Sequence, residues 1–296
     1  MQDRIILTDH FRKLATRNYF RKKCLVNCAT MLKVRLLHPE PALLICGKLN
    51  KQHSKFIVAT DVHVGSETYG VMNGITMNAK YLIQNINDCL LKLVKATNAD
   101  GIILLGDFKS SVSEITQLER NIVPAVLTSL SQYAEVYLIP GNHDSFMSYI
   151  APNNVNLISP GGMVLGDILL MHGHTMPSTV RSSVGRIIMG HIHPIFLKPN
   201  NIANGQRIWV YMKARKQAIF SDSDGFLEIL IMPSFYSSPN TLLRHNMWKS
   251  MPPIIERILK NRAIEEMLLL TLDGSIVADL SCLEGNMFFN FPRKET

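Results

Sequence analysis

The sequence predicts a strand-rich α/β fold, and three features carry that prediction. From about Pro39 onward, short apolar runs alternate with polar or glycine-bearing breaks. Two intervening stretches space their apolar residues for helices, and clusters of His, Asp and Asn follow the apolar runs directly. In α/β folds the strand ends converge on a common rim, where loops vary without disturbing the core and binding sites gather.

Taken in order, residues 42–46 and 56–59 read as strands, the second running into Asp61-Val62-His63. A helix is expected over 78–96, where Leu82, Ile86, Leu90, Leu93 and Val94 recur at helical spacing. The strand 101–105 ends in Gly106-Asp107, a helix falls within 117–132, and the strand 136–139 leads into Gly141-Asn142-His143-Asp144. Strands at 163–166, 168–171 and 186–189 follow; the latter two precede His172-Gly173-His174 and Gly190-His191-Ile192-His193. Beyond Pro194, residues 207–213 and 226–232 read as strands, 254–267 as a helix, and 268–280 as a hairpin turning on Asp273-Gly274.

With 296 residues and 47% hydrophobic content, the chain buries one large core, or one core and a small subdomain, without crosslinks. Cys24, Cys28, Cys46, Cys89 and Cys282 are odd in number and scattered, which excludes a disulfide framework and favours a reducing cytoplasm. Cys24 and Cys28 have no second pair at zinc-site spacing. No apolar run approaches the roughly 20 residues that span a bilayer, so no membrane partner is expected. A basic N-terminal extension, residues 1–37, crowds Arg4, Arg12, Lys13, Arg17, Arg21, Lys22 and Lys23 against two Asp residues. It reads as a nucleic-acid arm, a targeting peptide, a stretch upstream of a start at Met31, or a plain solvated helix. The net charge of +8 favours polyanionic partners.

Each polar cluster alone has an ordinary explanation. Asp61 and His63 lie two apart, so on an extended strand end both reach one cation, but such triplets are common. Gly106-Asp107 serves equally as an Asx-turn, and Gly141-Asn142-His143-Asp144 as a polar turn in which glycine permits a tight loop. His191 and His193, between Gly190 and Pro194, repeat the two-residue spacing or cap nearby backbone. Six of the ten histidines nonetheless fall in these clusters, and packing does not explain that concentration. Two metals about 3.5–4 Å apart need a bridging carboxylate and several neutral donors, and Asp107, alone after its strand, is the candidate bridge. This donor mixture suits Mn²⁺, Zn²⁺, Fe, Co²⁺ or Ni²⁺ above Ca²⁺, and four imidazoles disfavour Mg²⁺.

In order and spacing, Asp61-x-His63, Gly106-Asp107, Gly141-Asn142-His143-Asp144, His172 and Gly190-His191-x-His193 resemble the calcineurin-like metallophosphoesterase superfamily. The stretches Asp61 to Glu67, Gly106-Asp-Phe-Lys109, Gly190 to Pro194 and Pro233-Ser-Phe235 are similar to the archaeal and bacterial group related to the Mre11/SbcD nucleases. Ser110-Ser111 stands where that group usually has a histidine, and no glycine-rich stretch follows Phe235. The resemblance implies a four-layer core of two packed mixed β-sheets flanked by helices, over residues 38–296, with two divalent metals, manganese favoured, at the strand ends. It implies that Asp61, His63, Asp107 and His193 hold one metal and Asp107, Asn142, His172 and His191 the other. His143, oriented by Asp144, would stabilise the transition state or protonate the leaving oxygen.

The function expected is phosphoester hydrolysis by a metal-bridging hydroxide, on DNA or RNA first, with a small-molecule phosphodiesterase or phosphomonoesterase and a non-catalytic scaffold as alternatives. Lys109, Arg181 and Arg186 are near enough in sequence to grip phosphate, although plain surface charge explains them as well. Arg207, Lys213, Arg215 and Lys216 serve either specificity or the second sheet. Tyr211 to Lys216 supplies no aromatic-rich basic stripe. A homodimer through an edge strand of the C-terminal hairpin is a further expectation.

Overall fold

In β3 (Gln52–Ala59), β4 (Gly101–Leu104), β8 (Ile168–Met171) and β9 (Arg186–Met189) the apolar run has no polar face at its C-terminal end. A strand points successive side chains to opposite sides, so such runs must be covered on both. The computed structural model describes residues 32–50, 52–66, 79–177, 183–198, 200–221, 223–236 and 251–280, and shows how this is done.

Two mixed sheets stack. The first has the order β1-β2-β3-β4-β5-β6, with β1 (Lys33–Leu36), β2 (Leu43–Leu49), β5 (Glu135–Leu138) and β6 (Val155–Leu157). From β3 to β6 it is parallel. The second runs β13-β12-β10-β11-β9-β8-β7, with β7 (Met163–Leu165), β10 (Trp209–Arg215), β11 (Phe226–Ile231), β12 (Ile264–Leu270) and β13 (Ile276–Asp279). Val58, Ile103, Leu170, Ile188, Trp209 and Leu268 meet in the core between the sheets. Their neighbours Ile57, Ala59, Ile102 and Leu104 face α1 (Ala79–Thr97) and α2 (Gln117–Ser131), whose Leu90 and Leu127 close that side. Leu169, Met171, Ile187 and Met189 face the opposite way, under Ile254, Ile255 and Ile258 of α3 (Pro253–Lys260). The layers are therefore helix, sheet, sheet, helix. Truncating Ile103, fully buried between the sheets, to alanine is expected to cost about 2–5 kcal/mol in urea unfolding.

Two expectations need correction. The fold begins before residue 38, because β1 pairs antiparallel with β2 and Leu32 is buried between the sheets; the basic residues up to Lys23, with Cys24, Cys28 and Met31, lie outside the described residues. The helix expected over 254–267 stops at Lys260, since Arg262 adopts φ 47° and the chain turns back. Residues 264–270 instead join the sheet as β12, whose Met267 to Leu270 alternate between two cores. Its hairpin partner β13 does follow a turn at Asp273-Gly274 and forms a sheet edge. The short β6, with two of its three residues exposed, gave no apolar pattern to read.

Candidate metal centre

Five strands end at the site. β3, β4 and β5 are parallel neighbours in one sheet, β8 and β9 in the other, so their C-terminal ends lie on one rim. Past these ends the backbone turns. Asp61 (φ 54°), His63 (50°), Asp107 (50°), His191 (71°) and His193 (51°) all occupy the left-handed region. That conformation is uncommon for non-glycine residues and concentrates at functional sites. The two-residue pairs thus face one point through turns, and not on an extended strand end as expected. The turns are pinned by Asp61 N–H to Gly106 O (3.0 Å) and His63 N–H to Asp107 O (2.9 Å).

The side chains gather into two groups that share Asp107. Ligand-type atoms of Asp61, His63, Asp107 and His193 all lie within 4.8 Å of one another, as do those of Asp107, His172 and His191. His193 Nε2 is 2.8 Å from Asp61 Oδ1 and 3.2 Å from His63 Nε2. Asp107 turns Oδ2 toward His63 (3.8 Å) and Oδ1 toward His172 (3.4 Å). Asn142 Oδ1 joins the second group, 3.3 Å from His172 Nε2.

The donor chemistry fits cations. His172 Nδ1 lies 2.7 Å from the carbonyl of Leu105; a carbonyl only accepts, so Nδ1 carries the proton and Nε2 presents its lone pair. That lone pair faces the oxygens of Asp107 and Asn142, an arrangement that repels when empty of positive charge. A backbone-oriented imidazole of this kind is the usual way a metal-binding histidine is set.

Glycines make the approach close enough. A Cβ on Gly141 would fall 2.3 Å from Asp107 Oδ1 and 2.4 Å from its backbone nitrogen; on Gly190, 2.0 Å from Thr60 Oγ1 and 2.5 Å from Asp61 Oδ2. Both lie outside the left-handed region, so their smallness serves proximity and not a tight turn. The Asp61 carboxylate is held by His191 N–H (3.0 Å) and the Thr60 hydroxyl (2.9 Å).

Several side chains depart from expectation. Asp144 does not touch the His143 ring: its carboxylate accepts from the N–H groups of Gly141 (2.8 Å), Phe108 (3.0 Å) and Lys109 (3.1 Å). Burial, then the charge of Asp107, push its carboxyl above the ordinary range. The His143 ring instead donates Nδ1–H to Ser110 O, while its N–H bonds Asp107 Oδ1 at 2.9 Å. Lys109 is fully buried and bonds the carbonyls of Ser111 and Glu114, so it grips the loop and not a phosphate. Arg186 pairs with Asp167 (2.6 Å), and Arg207 holds the Ser234 and Phe235 carbonyls (2.8 Å each). Arg181 lies outside the described residues. In β10, Tyr211 is buried, as is Lys216 just beyond, which removes both from any surface stripe. His174 joins neither group; its ring is 5.3 Å from that of His172, its Nδ1 has no partner among the described residues, and burial drops it to about 4. Sequence reasoning missed Glu119, which is buried beside the site; only its place three residues after Thr116, the spacing of a capping box, signalled it.

A four-layer sandwich with paired His/Asp groups on one rim defines a protein built to hold divalent metals at its strand ends. The family model of the calcineurin-like phosphoesterases matches residues 54–265, and the chain belongs to that family. Its activity class is accordingly metal-dependent phosphoester hydrolysis. Among solved structures, the nuclease MPE of Pseudomonas putida is similar at 16% identity, covering 82% of this chain and 98% of its own, with a TM-score of 0.45. No curated protein matches the chain in sequence. No helix among the described residues is long and apolar enough to cross a membrane.

Proposed function

We propose that this chain is a dinuclear phosphodiesterase acting on DNA or RNA in the cytoplasm. The observation that carries the chemistry is a single buried carboxylate, Asp107, shared by two donor groups. Asp61, His63, Asp107 and His193 hold one cation, and Asp107, Asn142, His172 and His191 the other. Bound there, two divalent metals, manganese favoured over zinc, iron, cobalt or nickel, neutralise charge on phosphate oxygens and lower the pKa of water toward neutrality.

The protein's own groups do the rest. Asp61 and Asp107 are each fully buried, so bulk water does not compete for their oxygens. His143 stands at the mouth, its side chain 18% exposed, with Nε2 3.7 Å from Asp107 Oδ2. Because Nδ1 is committed to Ser110, Nε2 is the atom left for substrate, donating to the departing oxygen when the ring is protonated. Nucleic acid is the favoured substrate on the net charge of +8, which concentrates polyphosphates. The free thiols Cys46 and Cys89 suit a reducing compartment.

The test is hydrolysis of bis(4-nitrophenyl) phosphate against 4-nitrophenyl phosphate by metal-stripped protein with Mn²⁺ restored. Metal-dependent diester turnover supports the reading, and monoester preference replaces it with a small-molecule phosphatase. No turnover with Mn²⁺, Co²⁺, Ni²⁺ or Zn²⁺ leaves a scaffold. Metal should also stabilise the fold: with Mn²⁺ at 100 times its dissociation constant, stability rises by about 2.7 kcal/mol, read as a higher thermal midpoint that a chelator reverses.

A further inference from the structure

We propose that Glu119, on the first turn of α2, is a positioning residue that sets the His143 ring through the carbonyl of Ser110. Glu119 is fully buried, and its two oxygens do different work. Oε2 closes the helix cap, accepting from Thr116 N–H (2.9 Å) and hydroxyl (3.0 Å) and from the Ser111 hydroxyl (2.8 Å). A cap needs no more than that. Oε1 points away from the helix and accepts the N–H groups of Ser110 (2.9 Å) and Ser111 (2.7 Å). Burial by itself would raise this carboxyl, but the bonds from Ser111 and Thr116 outweigh it and hold it below its ordinary value, so it accepts as the anion.

The loop so held is the one whose Ser110 carbonyl receives the His143 Nδ1–H. Lys109 secures it from the other side, its buried ammonium bonding the carbonyls of Ser111 and Glu114 close to the Glu119 charge. The turn after His63 leans on the same carboxylate. A Cβ on Gly65 would lie 2.9 Å from Glu119 Cγ, and Val64 O accepts from Ser110 N–H at 3.0 Å. Glu119 thus braces two site loops and, through one carbonyl, fixes which nitrogen of His143 carries its proton and where the other points.

The inference rests on the proposed role of His143, and the experiment separates the two. In the metal-free full chain, the His143 Nδ1–H resonance is followed by ¹H–¹⁵N NMR, identified by its absence from His143→Ala. In Mn²⁺, turnover is compared on bis(4-nitrophenyl) phosphate, whose leaving group departs without a proton, and on a thymidine dinucleotide, whose alkoxide needs one. Glu119→Ala should lose the resonance and slow the dinucleotide about 100-fold, against about tenfold or less for the nitrophenyl ester. Glu119→Asp, which retains the charge and a capping carboxylate but falls short of the loop, should do the same while still folding. Glu119→Gln, able to accept from Ser110 and Ser111, should keep the resonance and stay within about fivefold on both substrates. A resonance unchanged in Glu119→Asp, or equal losses on both substrates, overturns the inference. Absence of any leaving-group bias in His143→Ala overturns the role of His143, while the resonance still judges its link to Glu119.

Discussion

Asp107→Asn is expected to lower metal-dependent diester turnover by about 10³-fold or more, because it removes the one negative charge that both donor groups share. The amide still offers an oxygen to the His143 N–H, which bonds Asp107 Oδ1 at 2.9 Å, so the loop stays in place and the loss reads charge. Without metal, the variant should melt no lower than the parent. Asp107 lies among other carboxylates and helps push the Asp144 carboxyl up, so its charge is a liability until a cation offsets it. The thermal gain from Mn²⁺ should shrink sharply. Calorimetric metal titration with a thermal melt checks both halves; full Mn²⁺ stabilisation in the variant would remove Asp107 from the shared position.

Gly141→Ala carries the second large effect, through shape alone. The added methyl would sit 2.3 Å from Asp107 Oδ1 and 2.4 Å from its backbone nitrogen, and a Cβ added at Gly106 opposite would be as tightly placed, 2.7 Å from Gly141 Cα. Backbone on both sides cannot swing away as a side chain could. The β4 and β5 loops must separate, at about 1–3 kcal/mol of stability, and a displacement of about 1 Å at the reacting groups costs about 100-fold in rate. Diester kinetics and urea unfolding on the same preparation measure both. The position is not left-handed, so an alanine there meets no backbone penalty, and a near-normal rate would show that the loops can part without harm.

Much of this was legible in the chain itself. Strands β8 and β9 fall at the residues their apolar runs predicted, and β3, β4, β5, α1 and α2 within a few residues. The candidate ligands could be picked out because His, Asp and Asn recur just past apolar strands, and because their order matches a known family. What could not be read were contacts made by groups every residue has. The Ser110 carbonyl that orients His143 and the N–H groups that hold Asp144 leave no mark in side-chain identity. The family resemblance assigned Asp144 to the neighbouring His143, whereas in the fold it serves a loop some 35 residues away. Lys109 beside a metal motif could be read as a phosphate grip or as plain surface charge, and it is neither: its burial depends on carbonyls that only the folded loop supplies.

By itself, then, the sequence determined the alternation of strands and helices, the residue types collected at strand ends, and the family. Periodicity and local spacing suffice for these, since each depends on residues near one another in the chain. Tertiary structure alone decided which face of Ile57-Val58-Ala59 or Ile187-Ile188-Met189 enters which core, because a strand buried on both sides has no polar face to reveal its orientation. It alone brought Asp61 to His193 and His63 to Asp107, and made Gly141 and Gly190 indispensable by the approach of backbone from another strand. Such closeness comes from packing two sheets onto one rim, and no one-dimensional pattern encodes a distance across that rim.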